Sequence, residues 1–421
     1  MEGKFSLPNH KLKYGKKDLS RAYQSVPQPK VKDVVSSEFF SNSPPTVFVG
    51  SKLKYPNVNV GILAPPVRVE DVEVYDSHKR WVQEDRGIQE ILDFRGNLIN
   101  SRFLSSVHSP RGQTGGKFLD ISQEVGMAKK AVDMEFHLKK KVKLGLKFDR
   151  VSKPISSPAD LKNMKITDNT KIERPIDKVF SDTDLKAADA VSYLYKKKTE
   201  DQKLSQLLSL GTMGLGKNRR LVPTRWSITT VDDIIGKNLI KEIKDCSSIN
   251  EHSLFFGYFL GNYYLVFLFP DVFSYELFEM YLPGSSWNPS LGNPNGEITV
   301  ATDYESYSGR KNYASNCVGG YYAARLPLLE SLKMNKRQAS TLVLRFETPD
   351  YWAGLGVWVV REAMKKTMET RKLVFDSRDD MLKRGREIIK EELNFDINQL
   401  LVRSKLLEKV KTQMKLSSYF S

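Results

Sequence analysis

Cysteine is scarce: Cys246 and Cys317 are the only two in 421 residues. Two thiols cannot build a disulfide framework or a four-cysteine zinc site, and so low a thiol content suits a reducing interior. Histidine is nearly as rare. His10, His78, His108, His137 and His252 show no H-x-E or H-E-x-x-H spacing, so no zinc hydrolase is written here. The chain also has no G-x-S-x-G elbow. Met1 to Tyr14 carries no apolar run of the kind a secretory leader needs. The stretch most easily mistaken for a membrane span, Leu254 to Pro270, is only 17 residues long. Gly257 and Gly261-Asn262 interrupt it, whereas a span needs about 20 apolar residues. Gly-Asn between aromatic and β-branched runs predicts a core hairpin instead. No membrane partner is expected, and the expected location is cytoplasmic and nucleoid-associated.

Acidic residues are in deficit. There are 66 Lys and Arg against 50 Asp and Glu, a formal charge of +16. That balance favours a polyanionic partner, DNA before a membrane surface. Hydrophobic residues make up 40% and aromatics 10%, which excludes a wholly disordered chain.

Along the chain, residues 1–37 read as a basic, irregular arm with Lys11, Lys13, Lys16 and Lys17. Residues 38–151 begin the globular body. Short strands are expected at Thr46–Gly50 and Val58–Leu63 around Tyr55-Pro56-Asn57. Val67–Val74 alternates like a strand, and Ile88–Leu98 reads as a helix. Met134–Phe148 alternates apolar residues with lysines, which predicts a strand pair with one basic face. Residues 152–183, rich in Pro, Ser, Lys and Asn, read as a surface connection. Residues 184–376 continue the body: a helix over Leu185–Leu210, strands over Ile228–Phe269, a loop over Ser285–Gly309, a strand at Ala339–Phe346 and a helix at Val357–Met368. Residues 377–412 read as a charged helical extension, and 413–421 as a tail. The fold class is therefore α+β: a sheet-rich body with helices, a helical C-terminal extension and a flexible tail.

The tail holds the sharpest motif. Gln413-Met414-Lys415-Leu416-Ser417-Ser418-Tyr419-Phe420 fits Q-x-x-hydrophobic-x-x-aromatic-aromatic and resembles the peptide that docks on the sliding clamp, PCNA. A single helical turn puts Leu416, Tyr419 and Phe420 on one side, able to fill one apolar pocket, while Gln413 offers an amide donor and acceptor. Ordinary residue usage produces this pattern roughly 6 times in 100,000 windows.

A second signal runs from Gly214 through Ser227. Lys217, Arg219, Arg220 and Arg225 supply charge and forked donors, glycines let the backbone approach a phosphate, and Trp226 can stack on a base. Asn218 stands where a Walker A loop needs Ser or Thr. Read alone, the block is better explained by a solvated basic loop. Asp232-Asp233 follows; Asp232 as a helix cap before Ile234-Ile235 is preferred over a metal or general-base role. Gly319-Gly320-Tyr321-Tyr322 opens a helix and offers an anion site. Arg345 and Arg361, in apolar surroundings, each need a carboxylate or phosphate partner.

Three long blocks carry a family resemblance: SPPTVFVG from Ser43 with YPNVNVG from Tyr55; KNRRLVPTRWSITTVDD from Lys217; and GGYYAARLPLLE from Gly319 with GVWVVRE from Gly356. The chain resembles the archaeal Nre family of DNA repair proteins over about residues 43–375, and its tail resembles that of the clamp-binding members. The resemblance implies action in DNA damage repair through the clamp. It supplies no catalytic residue and no cofactor. A cysteine-rich N-terminal zinc module, frequent in the family, is not carried over, because residues 1–40 contain no cysteine. Two classes stay open: a DNA-binding factor recruited to the clamp, or a clamp-tethered end-processing hydrolase or nuclease with a nucleotide pocket around Gly-Lys-Asn-Arg-Arg. The expected partners are PCNA and DNA.

Overall fold

The computed structural model describes residues 12–14, 35–52, 55–112, 116–149, 151–288 and 296–412. Strands β1 (Leu12–Tyr14), β2 (Glu38–Ser43), β3 (Val47–Val49), β4 (Asn57–Ala64), β5 (Ile99–Ser106), β6 (Val132–Leu138), β7 (Leu146–Lys147), β8 (Ile155–Ser156) and β9 (Pro158–Ile166) precede a long helix at Thr224–Lys244. Strands β10 (His252–Phe259), β11 (Asn262–Phe269), β12 (Ser274–Tyr281), β13 (Ile298–Glu305), β14 (Ser340–Glu347) and β15 (Leu373–Phe375) follow it. The chain divides into two compact units within that helix, between Asn238 and Leu239; Gly354–Trp358 returns to the first unit. The class is α+β.

The first unit is built on a six-stranded sheet in the order β2-β6-β9-β5-β4-β3. Alternation along the strands makes its core: Val58, Val60 and Ile62 of β4 meet Met134 and Phe136 of β6 and Leu161 and Met164 of β9. The helix Lys117–Met127 packs into the same core through Leu119 and Val125.

The second unit is built on a seven-stranded sheet in the order β1-β13-β12-β14-β11-β10-β15. β12 and β14 run parallel in its middle. One face is mainly apolar: Phe267, Phe278, Met280, Leu344 and Phe346 pack against Met381, Ile389, Leu400 and Leu406 of the C-terminal helices. Gly385 of the helix Arg378–Leu393 lets that helix lie close, since a Cβ there would stand 2.5 Å from the Phe267 ring. Ser377 caps the helix by accepting from the Asp380 N–H, as its position before an acidic first turn suggests.

Several expectations are corrected. Residues 158–166, read as part of a surface connection, are an inner strand, β9. Its exposed Lys162, Asn163 and Lys165 alternate with buried Ala159, Leu161 and Met164, so only its solvent face is polar. Val67–Val74 is not a strand; the Asn42 side chain grips both the N–H and the C=O of Val69 and takes the place of ladder pairing. Met134–Phe148 is not a hairpin with a basic face. β6 shows Asp133, Glu135 and His137 outward, and Lys139, Lys140, Lys141 and Lys143 stand exposed in the following loop. Ile228–Lys244 is helix, not strand, because burial of Val231, Ile235 and Leu239 outweighs the weak β preference of Ile228-Thr229-Thr230-Val231. Leu185–Leu210 is two helices, Ala187–Lys196 and Asp201–Ser209. β13 lies inside the expected 285–309 loop. The core hairpin is present, but its turn is Leu260-Gly261, both at positive φ, and Asn262 opens β11.

Candidate functional site

The Gly-Lys-Asn-Arg-Arg block lies in the first unit and points in two directions. Arg219 turns inward and is only 7% exposed. Its Nε donates to the Gly214 carbonyl at 2.9 Å, and its guanidinium also reaches the carbonyls of Asp182 and Val179 at the end of the helix Arg174–Ser181. It lies over the Phe180 ring and borders a cavity of about 460 Å³ with Gln123 and Glu124. Arg225 pairs with Asp149 at 3.2 Å. Lys217, Arg220 and Trp226 face solvent, with half of Trp226 exposed. The four cations are therefore not one convergent cluster: one braces backbone, one is paired, and two are open.

That division gives a prediction. Arg219→Ala should lower stability by about 1.5–3 kcal/mol, the usual loss for a charged group bonded to buried acceptors. Lys217→Ala with Arg220→Ala should stay within about 0.5 kcal/mol of the parent. Urea unfolding of both variants checks this, and equal losses would contradict the assigned roles.

Asp232 is not a cap. It is buried in the middle of the helix Thr224–Lys244, and Asp233 pairs with Lys237 one turn on.

A second feature of the first unit went unread in the sequence: a cleft of about 370 Å³. The Pro44-Pro45-Thr46 backbone forms one wall and the helix Asp201–Ser209 another. Gln206 staples the two. Its Oε1 accepts from the Val47 N–H at 3.0 Å, and its Nε2 donates to the carbonyls of Pro45 and Gly126. Lys203 lies one helical turn earlier on the same face. Its Nζ donates to the Ala128 carbonyl at 2.6 Å. Burial pushes the pKa of this amine down to about 8, with Glu173 opposing the shift.

Behind the cleft, Asp76 is buried and accepts from Arg95 at 2.6 Å, Lys153 at 3.0 Å and Gln202 at 2.8 Å, as well as from Thr46. Burial works to raise its pKa, but Lys153, Arg95 and Thr46 outweigh it and hold the carboxyl below the usual carboxylate range. Burial also pushes Lys153 down to about 8 against the pull of Asp76. Asp76 is thus held between two cations, while Glu73, Glu173 and Glu200 bring further carboxylates to the cleft lining. The block SPPTVFVG was visible in the sequence, but nothing there revealed that its backbone walls a cleft. Lys203 read only as one more lysine in a helix.

The second unit carries a buried polar layer on the sheet face opposite its apolar core. The parallel register sets Glu279 beside Arg345 and Tyr281 beside Glu347; β11 adds Tyr264 and Asn262 on the other side. Arg345 reaches Glu279 at 2.5 Å, Glu347 at 3.1 Å and the Asn262 side-chain oxygen at 2.6 and 3.0 Å. Gly320, in the first turn of the helix Gly319–Met334, approaches so closely that a Cβ would lie 2.5 Å from Glu279 Oε1. The helix N-terminus expected to bind an anion thus faces a carboxylate of the protein itself. Arg325 makes a further buried pair with Glu305. Arg345 has the carboxylate partner its surroundings demanded.

The clamp-type residues Gln413, Leu416, Tyr419 and Phe420 lie outside the described residues. Their point of attachment is described. Buried Glu276 accepts from the Ser404 hydroxyl at 2.6 Å and from the N–H groups of Leu406 at 3.0 Å and Lys405 at 3.1 Å. It thereby caps the helix Lys405–Thr412, and Leu406 and Leu407 sink into the core. Burial pushes the pKa of Glu276 up, opposed by these donors. Among the described residues no helix is long and apolar enough to cross a membrane.

Comparison with known proteins gives a consistent relationship. No solved structure matches the chain. DNA repair protein NreA of Haloferax volcanii is 34% identical over 338 residues, covering 80% of this chain and 79% of that protein. DNA repair protein NreA of Archaeoglobus fulgidus is 36% identical over 349 residues, 83% of this chain and 84% of the relative. DNA repair protein NreB of the same organism is 32% identical over 376 residues, 89% and 90% of the two chains. The family models for archaeal Nre, N-terminal and C-terminal, match residues 19–288 and 305–419, and the chain therefore belongs to the archaeal Nre family.

Proposed function

We propose that this chain is a DNA repair factor whose first unit contacts DNA through charge and whose tail docks on the sliding clamp. The observation that carries the reading is the junction at Thr412. A clamp-type peptide begins at Gln413, one residue after a helix that Glu276, Leu406 and Leu407 fasten to the body. The relatives' names, DNA repair proteins NreA and NreB, support the repair part of the reading. Clamp encircling DNA should retain the full chain and release a chain ending at Thr412; equal retention of both overturns the clamp assignment.

On the DNA side, Lys217, Arg220 and Trp226 are the open members of the basic block, and Lys139, Lys140, Lys141 and Lys143 are exposed together in one loop. Exposed cations suit phosphate contacts, and the exposed Trp226 indole suits base stacking. Duplex affinity should fall steeply with salt. Lys217→Ala with Arg220→Ala should reduce the log–log slope by about 2, near 0.9 for each phosphate no longer neutralised. A titration by fluorescence anisotropy at several salt concentrations measures this. A slope unchanged in the double variant would remove both residues from the DNA-binding surface.

A further inference from the structure

We propose that the end of the β3–β4 hairpin and the basic block beside it form a stacking site for an unpaired nucleotide of DNA, with the Tyr55 ring as its platform. This deepens the charge-driven DNA reading and rests on it.

Tyr55 is 75% exposed. A single exposed aromatic is ordinary, but this one is held in place. Its hydroxyl lies 3.2 Å from His108 Nε2, and the two rings meet edge to face with centroids 6.1 Å apart. The side chain is fixed while most of its surface stays open, so little rotamer freedom is left to lose when a base stacks on it.

Main-chain hydrogen bonds carry the ring to the basic block. The Val107 N–H donates to the Pro56 carbonyl at 2.7 Å, and the Leu221 N–H donates to the Val107 carbonyl at 2.9 Å. Segments 55–57, 106–108 and 219–221 therefore lie side by side. Val107 and Leu221 both sink into the core of the first unit, so their chain neighbours His108 and Arg220 turn to the wet side. Arg111 adds a third link: its Nε donates to the Arg219 carbonyl at 3.3 Å, and the residue is exposed. On the β3 side the Val49 N–H donates to Thr224 Oγ1 at 2.9 Å, two residues before the half-exposed Trp226.

The chemistry of this surface selects its partner. Segments 55–57, 106–111 and 217–221 hold four cations and no carboxylate. Arg219 is committed to backbone carbonyls, which leaves Arg111, Lys217 and Arg220 open. Asp120 and Glu124, in the cavity that Arg219 borders, limit how many phosphates this side can gather. A few phosphates and an open ring suit a short unpaired stretch, whose bases offer a π face to an aromatic side chain. Inside a duplex those faces are buried in the stack, and exposing one costs a few kcal/mol.

The test compares a blunt duplex with the same duplex bearing a single-stranded extension of about six thymidines, within the roughly 4–16 nucleotides that stacking sites cover. Fluorescence anisotropy gives both affinities for the full chain. The extension should raise affinity at least about fivefold, near 1 kcal/mol, the lower end for one base stacked on an aromatic ring. Tyr55→Ala should erase that gain, Tyr55→Trp should keep it, and both should leave the melting temperature unchanged. Stacking releases no counterions, so Tyr55→Ala should leave the salt slope on the extended duplex as it was. Arg111→Ala should lower that slope by about 0.7, one phosphate of a single strand. Equal losses on the blunt and extended duplexes in Tyr55→Ala, or a gain that survives it, would overturn the inference. Salt-dependent binding of the blunt duplex with no gain from the extension would overturn it alone and leave the charge reading standing. No salt-dependent binding of either probe would bring that reading down as well. A gain from an RNA extension without one from DNA would overturn the assignment to DNA.

Discussion

Replacing Arg345 with methionine should lower the stability of the second unit by about 3–5 kcal/mol, the usual loss when one partner of a buried charge cluster is removed. The reason lies in what is left behind. Glu279 and Glu347 are 1% and 0% exposed, so water cannot replace the guanidinium. Tyr281 still donates to Glu279 at 2.8 Å, and the Trp287 N–H to Glu347 at 2.9 Å. Those neutral donors satisfy lone pairs without balancing charge. Urea unfolding, with hydrogen exchange read on β14, measures the loss. A second variant separates charge from packing: Arg345→Met together with Glu279→Gln and Glu347→Gln removes the charges as a set and should recover much of the loss. A loss below about 1 kcal/mol in the single variant would contradict a layer held together by the Arg345 charge.

The same arginine shows how far the sequence can be read. Arg345 stands in an apolar run, Leu342-Val343-Leu344-Arg345-Phe346, and a buried guanidinium without an anion is too costly to persist, so a partner was legible. Which partner was not. Glu279 comes beside it through the parallel pairing of β12 with β14, and their order in the sheet depends on tertiary packing that no local pattern encodes. The helix at Thr224–Lys244 was hidden for a similar reason, its β-branched start being overruled by long-range burial. β9 was hidden because a strand with one wet face and few aromatics has the composition of a loop. The hairpin of β10 and β11 was legible because its turn signal and its apolar runs are adjacent in the chain. Of the basic block, the residue types were legible but not their directions. Arg219 and Arg220 are neighbours in sequence, and backbone direction alone sends one to carbonyls and the other to water. The cleft at Lys203 was least legible of all, since its lining comes from residues 44–46, 73–77, 128–129, 173–176 and 198–206, which meet only in the fold.

Changing Tyr419 and Phe420 to alanine should weaken clamp binding at least a hundredfold, about 2.7 kcal/mol. Leu416, Tyr419 and Phe420 supply the apolar anchoring, at about 1.5–3 kcal/mol for each fully buried side chain. Against that stands the ordering of about eight residues, at about 1–2 kcal/mol each for backbone, so a lone peptide should bind only at micromolar levels. The cap at Glu276 affects this balance. Because the helix Lys405–Thr412 is already ordered on the body, ordering on the clamp has to begin only at Gln413, and none of the preceding turn adds to the entropy loss. Several chains on one ring, or DNA held by both proteins, raise the effective concentration further. Duplex affinity of the body should be unchanged by the two substitutions, since Lys217 and Arg220 lie in a different unit from the tail's attachment. Calorimetric titration of clamp into the full chain, the double variant and a chain ending at Thr412 checks each step. If the chain ending at Thr412 binds as tightly as the full one, the docking site is on the body, and the aromatic pair has another role.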